Sequence, residues 1–504
     1  MSFTTTTSTP KPIASRPLYI NSHAVSTLTG LVQETLSLRV PTDQDDTKSY
    51  TQPSNSATTS TASPPPPTTR TPPSILIFSG GSAVSSFVPM LQKITDNVCY
   101  VMPFSDDGGS TFEIVKVMGG PGIGDIRSRI LGLADQSTLE GQAVYKLLSY
   151  RLPCAGGGNS TCPAKMEWMS ILEGNHILWT DIPLPHQYTI RSFLFQFHDK
   201  LLKETAGLNI ISNGEMKQQT FDFRGGCIGN FFITGCRLFF HSLEAAIFQF
   251  SKLVGCPNKT NVLPIVATGH YPVAIGVTLR NGACVYGQCE ISHPGVTAAP
   301  VAREVPPLPS PIRRVFYISP DNHTETIPKV NQLVPQQLST KRTVIYGMGS
   351  LYTSLLPNLV VPGVGEMISN DYRRSDSRSK ILLLNGTHDR ETEGYTAMDF
   401  VLAITDTLNY SVIADRGGEG MVKKVMTKRD ASTDMDGADQ VWRWRGALVG
   451  TGVTASIGSG RRPSDTSSLS EGGLFIVGSV EGSEDGEFED DDDAEQDISE
   501  MQSP

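Results

Sequence analysis

The stretch that decides the fold is Tyr100–Asp135, which reads YVMPFSDDGGSTFEIVKVMGGPGIGDIRSRILGLAD. It starts in an apolar run, crosses the turn Ser105–Ser110, and enters a helical pattern over Ile126–Ala134 through Gly124-Asp125. An open α/β sheet places its ligand where a buried strand ends in glycines and carboxylates ahead of a helix start. The stretch therefore predicts the ligand-binding edge of a mostly parallel sheet.

Two kinds of group in this stretch point to an anionic ligand with a cation or hydroxyl groups beside it. Glycines such as Gly109 let the backbone approach a phosphate, and a helix start presents N–H groups to it. Arg127 can bind a phosphoryl group through two hydrogen bonds. The adjacent Asp106 and Asp107 then favour Mg²⁺, or ribose and sugar hydroxyls, next to the ligand. The alternative is a surface turn, since Asp-Asp-Gly-Gly is common turn chemistry.

Composition divides the chain into three parts. Of the 504 residues, 38% are hydrophobic, which is enough for a large core with material left for tails. Residues 1–73 are rich in Ser, Thr and Pro, and residues 451–504 end in an acidic run, so we expect both segments to be disordered. The alternative near the C-terminus is that Val441–Trp444 and Gly472–Val480 each add a strand. The domain between them spans residues 74–450, with predicted loop insertions near 152–165, 294–340 and 371–380.

Charge, cysteine content and hydropathy narrow the function classes. The formal net charge of −10 disfavours nucleic-acid binding. The 8 cysteines form no Cys-x-x-Cys pair and show no zinc spacing, which indicates reduced thiols. No apolar run reaches the roughly 18 residues of a membrane span. We expect a cytoplasmic protein that binds neither nucleic acid nor a membrane.

Two strand–glycine–helix units follow each other at the start of the domain. Ser74–Phe78 is a short apolar strand that leads into Ser79-Gly80-Gly81-Ser82, and a helical pattern covers Val84–Ile94. Val98–Met102 is the next strand and ends in the Asp-Asp-Gly-Gly turn. Because β-α-β crossovers are right-handed and keep the strands parallel, both glycine loops should reach one edge of the sheet. A single pocket is the simplest prediction.

A fourth glycine-containing segment, Phe223–Phe232, leads into an aromatic-rich helical pattern that ends near Val254. A helix this apolar is predicted to be buried. Its start contains Gly229 and Asn230, which are either ligand contacts or residues that allow close helix packing. Both interpretations stay open on the sequence alone.

A β-hairpin is predicted near the middle of the domain. Val273–Arg280 and Ala283–Ile291 alternate between apolar and polar residues on either side of Asn281-Gly282. This dipeptide is typical of a type I′ turn. We therefore expect a hairpin added to the α/β sheet, with a structural or lid role.

Another glycine loop follows the predicted strand Val344–Tyr346. It contains Gly349, Ser350 and Thr353, and its hydroxyls are suited to hydrogen bonds with a phosphate. Helix N-capping is the alternative role, which we expect for one of the two hydroxyl residues. Beyond it, Ile381–Leu384 is predicted as a further buried strand.

Four polar residues cluster on the loop after that strand: His388, Asp389, Glu391 and Glu393. They could hold a metal ion or provide a base. The alternative, which we favour, is that four polar groups on one loop simply face water.

Together, these motifs resemble the CofD-like family, which includes 2-phospho-L-lactate transferases and bacterial gluconeogenesis factors. The motif order across Ile75–Leu408 is specific, and Asp-Asp-Gly-Gly-Ser, Gly-Asp-Ile-Arg and Gly-Ser-Leu-Tyr-Thr-Ser are closer to the gluconeogenesis-factor branch. The resemblance implies a Rossmann-like α/β fold with helices flanking the sheet. It also implies a pocket for a diphosphate-containing ligand. That ligand is a nucleotide sugar such as UDP-N-acetylglucosamine in that branch, or a guanosine-diphospho-lactate donor with a deazaflavin acceptor in the transferase branch.

By similarity, Asp106 and Asp107 would lie beside Mg²⁺ or a sugar, and they would be the catalytic residues if the protein is an enzyme. The residues expected to bind the ligand are Gly80, Gly81, Ser82, Gly108, Gly109, Ser110, Gly124, Asp125, Arg127, Gly229, Asn230, Gly349, Ser350, Thr353 and Asn358. One departure is the first loop, which lacks the longer glycine-threonine-glycine form usual in bacterial members. The long tails are also foreign to those proteins.

Two classes of function follow from the resemblance. The first is a protein that binds a nucleotide sugar and regulates carbon metabolism. The alternative is a Mg²⁺-dependent phosphotransferase that moves a phosphoryl-linked group from a nucleotide diphosphate donor to a hydroxyl acceptor. The glycine loops contain no obvious general base, which favours the binding protein. A homodimer is expected in either case.

Overall fold

The computed structural model describes residues 72–81, 83–103, 108–154, 163–206, 209–212, 215–218, 221–267, 274–294, 306–319, 323–369, 379–385, 388–412, 414, 442–450, 453–456 and 475–482. Most of the predicted N-terminal segment and much of the C-terminal one lie outside these residues, as does most of the predicted insertion at residues 371–380.

Short apolar runs form the strands, and the helices connect them. The strands are β1 Ile75–Phe78, β2 Val98–Met102, β3 Asn209–Ser212, β4 Glu215–Gln218, β5 Asn261–Pro264, β6 Ala274–Leu279, β7 Cys284–Tyr286, β8 Ile312–Ile318, β9 Glu325–Thr326, β10 Thr343–Tyr346, β11 Ser379–Leu383, β12 Trp442–Gly450, β13 Val453–Ser456 and β14 Phe475–Gly482. The α-helices are α1 Val88–Ile94, α2 Gly109–Met118, α3 Gly124–Gly132, α4 Leu139–Ser149, α5 Pro163–Glu173, α6 Leu184–Thr205, α7 Ile228–Phe240, α8 Leu243–Leu253, α9 Gln288–Ser292, α10 Leu333–Thr340, α11 Leu356–Leu359, α12 Val364–Ser369 and α13 over residues 397–412. Short 3₁₀-helical turns occur at Ala83–Ser86 and Ile177–Trp179, and a π-helical turn occurs at Leu351–Leu355.

The main sheet has the order β13-β12-β14-β11-β10-β1-β2-β5. Strands β11, β10, β1, β2 and β5 are parallel, and β12, β13 and β14 extend the sheet with antiparallel pairings. The predicted Rossmann-like, mostly parallel sheet is therefore confirmed. Because β10, β1 and β2 are parallel neighbours, the glycine loops that follow them emerge at the same edge.

Three strands lie at or beyond the predicted C-terminal boundary of the domain. Strand β12 ends at residue 450, and β13 and β14 belong to the segment after residue 450 that composition predicts as a tail. The predicted insertion over residues 294–340 likewise contains β8, β9 and α10. Length and composition alone do not reveal such pairing, because it depends on a sheet edge formed by distant residues.

The predicted hairpin forms, but in a second sheet and with a different turn. Strands β6 and β7 pair antiparallel in a four-stranded sheet of order β7-β6-β8-β9. Gly282 has φ 88°, whereas Asn281 is not among the residues with positive φ, so the predicted type I′ turn is wrong. Leu279 N–H instead donates to the Ala283 carbonyl at 2.8 Å, which closes a three-residue loop. Helix α9 replaces the second half of the predicted second strand.

The long apolar helix predicted after Phe232 is two helices. Helix α7 ends at Phe240, and the following residue, His241, has a left-handed backbone with φ 52°. Ser242 then caps α8 by accepting a hydrogen bond from Ala245 N–H at 3.1 Å. The helical apolar pattern continues across the break, which is why periodicity alone misses it.

An aromatic cluster fixes the start of α7 against α5 and α6. The ring of Phe231 stacks on Phe197 at 4.5 Å and meets Trp168 edge-on at 5.1 Å. All three side chains are fully buried. The cluster thereby holds the first turn of α7, and with it Asn230, in a set position.

Within the described residues, no helix combines the length and the apolar character that crossing a membrane requires.

Candidate functional site

Three helices begin around one cavity at the edge of the sheet where β1, β2 and β10 end. The cavity measures about 240 Å³, and its lining residues are Gly108, Gly109, Ser110, Thr111, Gly124, Asp125, Arg127, Ser128, Arg151 and Asn230. They belong to the start of α2, the first turns of α3, the segment that follows α4 (Arg151) and the first turn of α7 (Asn230). None of these three helices has a side-chain hydrogen bond to its N-terminal amides from its capping residue. The starts of α2 and α3 line the cavity with their backbone, whereas α7 contributes Asn230, since the Ile228 N–H donates to the Tyr150 carbonyl at 3.0 Å. Two positive helix ends therefore border one space, which favours an anion.

Glycine is required at the start of α2 by the backbone conformation. Gly109 has φ 51°, a left-handed value that side chains rarely adopt. The Asp-Asp-Gly-Gly turn can therefore enter the helix only with glycine at this position. The sequence predicts ligand binding at this turn, and the structure places Gly108 and Gly109 in the lining of the cavity.

Two arginines bring positive charge to the cavity. Arg127 is half-buried, and its buried Nε has no hydrogen-bond partner. Arg151 is exposed and donates to the Gly225 carbonyl at 3.2 Å. In the part of the chain that the structure describes, neither guanidinium forms an ion pair with a carboxylate. Both charges are therefore available to an anionic ligand.

Asn230 joins two of the helices at the cavity. Its side chain is 1% exposed, and Nδ2 donates to Ser110 Oγ at 2.9 Å, while the buried Oδ1 has no hydrogen-bond partner. Its neighbour Gly229 serves close packing, since a Cβ there would lie 2.5 Å from the Leu148 carbonyl and 3.0 Å from Arg127 Cδ. Of the two interpretations left open by the sequence, packing describes Gly229, and Asn230 lines the cavity.

The first glycine loop lies beside the cavity, between α3 and the helical turn that follows β10. A Cβ at Gly81 would lie 2.1 Å from Asp125 Oδ1, and one at Gly80 would lie 2.5 Å from Ser354 Oγ. Neither glycine is among the residues that line the cavity. Ser82, predicted as a ligand contact, lies outside the described residues. The two glycines therefore allow the loop backbone to pack closely against α3 and the turn after β10. Asp125 contacts this loop and also lines the cavity.

The side chain of Asn385 binds the backbone of the glycine loop that follows β10. Gly349 N–H donates to Asn385 Oδ1 at 3.1 Å, and the Gly349 carbonyl accepts from Asn385 Nδ2 at 3.0 Å. Ser350 stands at the N-cap position of the following turn but makes no capping hydrogen bond with its side chain. The hydrogen-bonding groups predicted to meet a phosphate at Gly349 are therefore bound to Asn385.

The loop after β11 supplies a buried carboxylate. Glu391 is 2% exposed, so our expectation that it faces water is wrong. Its Oε1 accepts from Ser292 Oγ and Thr353 Oγ1, both at 2.6 Å. Its Oε2 accepts from Tyr352 N–H at 2.8 Å and from Thr353 N–H at 3.2 Å. Burial, with nearby Asp389, raises the pKa of Glu391 despite these hydrogen bonds.

Two predicted ligand contacts are thus buried away from the cavity. The hydroxyl of Thr353 donates to Glu391 Oε1. Asn358 is fully buried, and its Nδ2 donates to the Ser354 carbonyl at 2.9 Å. The hydroxyl of Thr353 and the amide of Asn358 therefore stabilise the turn after β10.

The predicted Mg²⁺ ligands and catalytic residues, Asp106 and Asp107, lie outside the described residues, in the connection between β2 and α2. Among the residues that are described, no group of three or more His, Cys, Asp or Glu side chains could hold a metal ion. Asp125 is the carboxylate that the structure places at the cavity. The described residues thus fit an anion, and magnesium binding stays a prediction.

Sequence reasoning missed Arg129. It lies one helical turn after Asp125, on the same face of α3, and is fully buried. The spacing i, i+4 from Asp125 was the available signal, because residues four apart share a helix face. The Gly-Asp-Ile-Arg motif drew attention to Arg127 instead.

The family of the chain follows from comparison with known proteins. The sequence profile of the family described as 2-phospho-L-lactate transferase CofD matches residues 75–441. The chain belongs to this CofD family. The matched range includes β1, both glycine turns around the cavity, and the buried loop of Glu391.

Relatives of this CofD family member occur in yeast and bacteria. An uncharacterised protein of Saccharomyces cerevisiae is 31% identical over 401 residues, which cover 68% of this chain and 84% of that protein. A putative gluconeogenesis factor of Clostridium acetobutylicum is 24% identical, with 66% of this chain and 53% of that protein covered. The chain thus spans about half the length of that bacterial relative. A solved Bacillus halodurans protein of the UPF0052 family is 20% identical, with a TM-score of 0.43, and covers 68% of this chain and 78% of its own.

Proposed function

We propose that this CofD family member binds a diphosphate-containing nucleotide ligand in the cavity at the starts of α2, α3 and α7. The observation that carries the proposal is the convergence of the N-termini of α2 and α3 with Arg127 and Arg151 on one space. Helix N-termini and guanidinium groups both favour phosphate oxygens, and a diphosphate offers enough of them for all these donors. UDP-N-acetylglucosamine is the first candidate.

The size of the cavity limits which part of the ligand it holds. Its volume of about 240 Å³ is below the roughly 300–1,000 Å³ usual for small-molecule sites. We therefore assign it the diphosphate and adjoining hydroxyls, with the remainder of the nucleotide along the sheet edge. Asn230 supports this assignment, because its unpartnered Oδ1 can accept a hydrogen bond from a hydroxyl.

We assign the binding a regulatory role in carbon metabolism. The supporting observation is that several bacterial relatives are named gluconeogenesis factors or putative gluconeogenesis factors. The cytoplasmic location and the homodimer expected from the sequence remain predictions that belong to this proposal. Catalysis is not needed for such a role, since a ligand that binds one conformation better shifts the population toward it.

Isothermal titration calorimetry tests the binding proposal. Wild type should bind UDP-N-acetylglucosamine, and Arg127→Met should weaken the affinity about tenfold or more because a bidentate, charge-assisted contact is lost. Arg314→Met is the control, since Arg314 pairs with Glu325 in the second sheet, outside the cavity lining. Absence of binding to every nucleotide diphosphate tested would overturn the proposal.

Magnesium-dependent transfer to a hydroxyl acceptor is the alternative function, and the family description favours it. The assay incubates a nucleotide diphosphate donor and a hydroxyl acceptor with the full chain, with and without Mg²⁺. Product that needs Mg²⁺ and disappears in Asp106→Asn would establish a transferase. Binding without any product under these conditions would favour the regulatory protein.

A further inference from the structure

Arg129 lies beneath the first glycine loop and holds two of its carbonyls. The side chain is 0% exposed. Its Nη2 donates to the Gly80 carbonyl at 3.1 Å and to the Gly81 carbonyl at 3.2 Å. A single guanidinium nitrogen thus fixes two consecutive peptide groups of the loop that follows β1.

The direction of these two bonds sets the direction of the loop amide. In a trans peptide the N–H and the C=O point to opposite sides. Because the Gly80 carbonyl points to Arg129, the N–H of Gly81 points away from it. Arg129 therefore acts on the side of the loop opposite to any ligand that this amide meets.

The charge of Arg129 is incompletely compensated by its surroundings. Nε and Nη1 are buried and have no hydrogen-bond partner in the described part of the chain. The guanidinium lies 5.0 Å from the centre of the Tyr100 ring, and burial lowers the pKa of Arg129, while Tyr100 and Asp125 favour its charged form. A buried cation with unpartnered N–H groups destabilises a fold, so its presence suggests a gain elsewhere.

We propose that Arg129 is a positioning residue that makes the glycine loop and the adjoining cavity selective for ligands with more than one phosphate. It holds the loop carbonyls inward and adds a buried positive charge, which forms no ion pair with a carboxylate in the described part of the chain. This inference rests on the proposed function, since it concerns how the same ligand is recognised. It assigns to Arg129 no direct contact with the ligand.

The proposal predicts a change in ligand preference that does not follow from stability. Arg129→Met keeps a long, unbranched side chain and removes the buried charge, but it also takes the donor from the Gly80 carbonyl, while the Gly81 carbonyl still accepts from Ser85 Oγ at 3.0 Å. The two changes act on stability in opposite directions. A purely structural arginine would instead weaken folding and all ligand binding together. Arg129→Lys keeps the charge but loses the fork, so its effect on binding should be intermediate.

The matched control is Arg191→Met. Arg191 also donates to two consecutive carbonyls, of Leu172 and Glu173, at 3.2 and 2.8 Å, but at the end of α5 and outside the cavity lining. This variant should lose stability without a change in ligand preference.

The experiment measures UDP and UMP affinities by calorimetry and stability by urea unfolding, using the full chain. In Arg129→Met the ratio of UDP to UMP affinity should fall about tenfold, measured at a urea-free condition where unfolding shows the variant to be folded. If wild type binds UDP and the ratio in Arg129→Met is unchanged, because both affinities stay the same or fall by the same factor, this inference alone is overturned. If Arg129→Met does not fold, Arg129→Lys decides, because an unchanged ratio there has the same meaning. A wild type that binds no diphosphate would overturn the proposed function and this inference with it.

Discussion

Removal of the Glu391 carboxylate should destabilise the protein by an amount that the hydrogen bonds determine. Glu391 accepts four hydrogen bonds, two from hydroxyl groups and two from backbone N–H groups. In Glu391→Ala the hydroxyls of Ser292 and Thr353, which lie 3.0 Å apart, can rotate so that one donates to the other. The N–H groups of Tyr352 and Thr353 lose their acceptor inside a buried site.

The magnitude follows from those two donors. Each buried donor left without a partner costs about 1–3 kcal/mol, so two cost about 2–6 kcal/mol. Relief from burying a carboxylate offsets part of this, because burial disfavours its charged form and raises its pKa. We expect Glu391→Ala to lower the free energy of unfolding by about 2–4 kcal/mol.

Glu391→Gln is the informative control. A glutamine can direct its carbonyl oxygen at the two backbone N–H groups and its NH₂ at the hydroxyls of Ser292 and Thr353, which can also accept. The cost should therefore stay below about 1 kcal/mol. Urea unfolding of the three proteins measures this order. Equal losses for the Ala and Gln variants, or no loss for Ala, would refute the reasoning.

Wild type and Glu391→Gln should also differ in how their stability depends on pH. The folded-state pKa of Glu391 is raised by burial above its ordinary value of 4.5. Between 4.5 and the raised value, the folded state binds the proton more tightly than the unfolded chain does, so wild-type stability falls as pH rises. Glu391→Gln has no such proton. Its stability relative to wild type should increase as pH rises above 4.5, and a constant or decreasing difference would contradict the assignment.

Three further variants test the loops and helices around the site. Gly81→Ala should destabilise by about 1–3 kcal/mol in urea unfolding, because its Cβ would lie 2.1 Å from Asp125 Oδ1. Ser242→Ala should cost about 1 kcal/mol by the same measurement, since Ala245 N–H loses its capping acceptor. Arg127→Met should change stability by less than about 0.5 kcal/mol while it weakens UDP binding in calorimetry, because its guanidinium lines the cavity and forms no ion pair in the described residues.

The parts of the fold that the sequence predicts are those with strong local signals. The strands β1, β2 and β10 are short apolar runs, and the handedness of their crossovers brings the following glycine turns to one edge. The cavity there is lined by Gly108, Gly109, Asp125, Arg127 and Asn230, which are among the residues predicted to contact the ligand. Their role in binding stays a prediction.

The parts that the sequence did not predict depend on contacts between distant residues. Asn385 is 36 residues from Gly349, and Glu391 is 38 residues from Thr353, so no local pattern links these pairs. Glycines and hydroxyls after a strand look alike whether a ligand phosphate or an internal carboxylate accepts from them. The buried role of Arg129 was missed for the same reason.

A crystal structure of the full chain with UDP-N-acetylglucosamine tests the central claim most directly. The proposed function predicts the two phosphates at the starts of α2 and α3, with oxygens at hydrogen-bond distance, about 2.7–3.2 Å, from a backbone N–H of the α2 start and from Arg127. Ligand density at the turn after β10, or a cavity without density at saturating ligand, would contradict it.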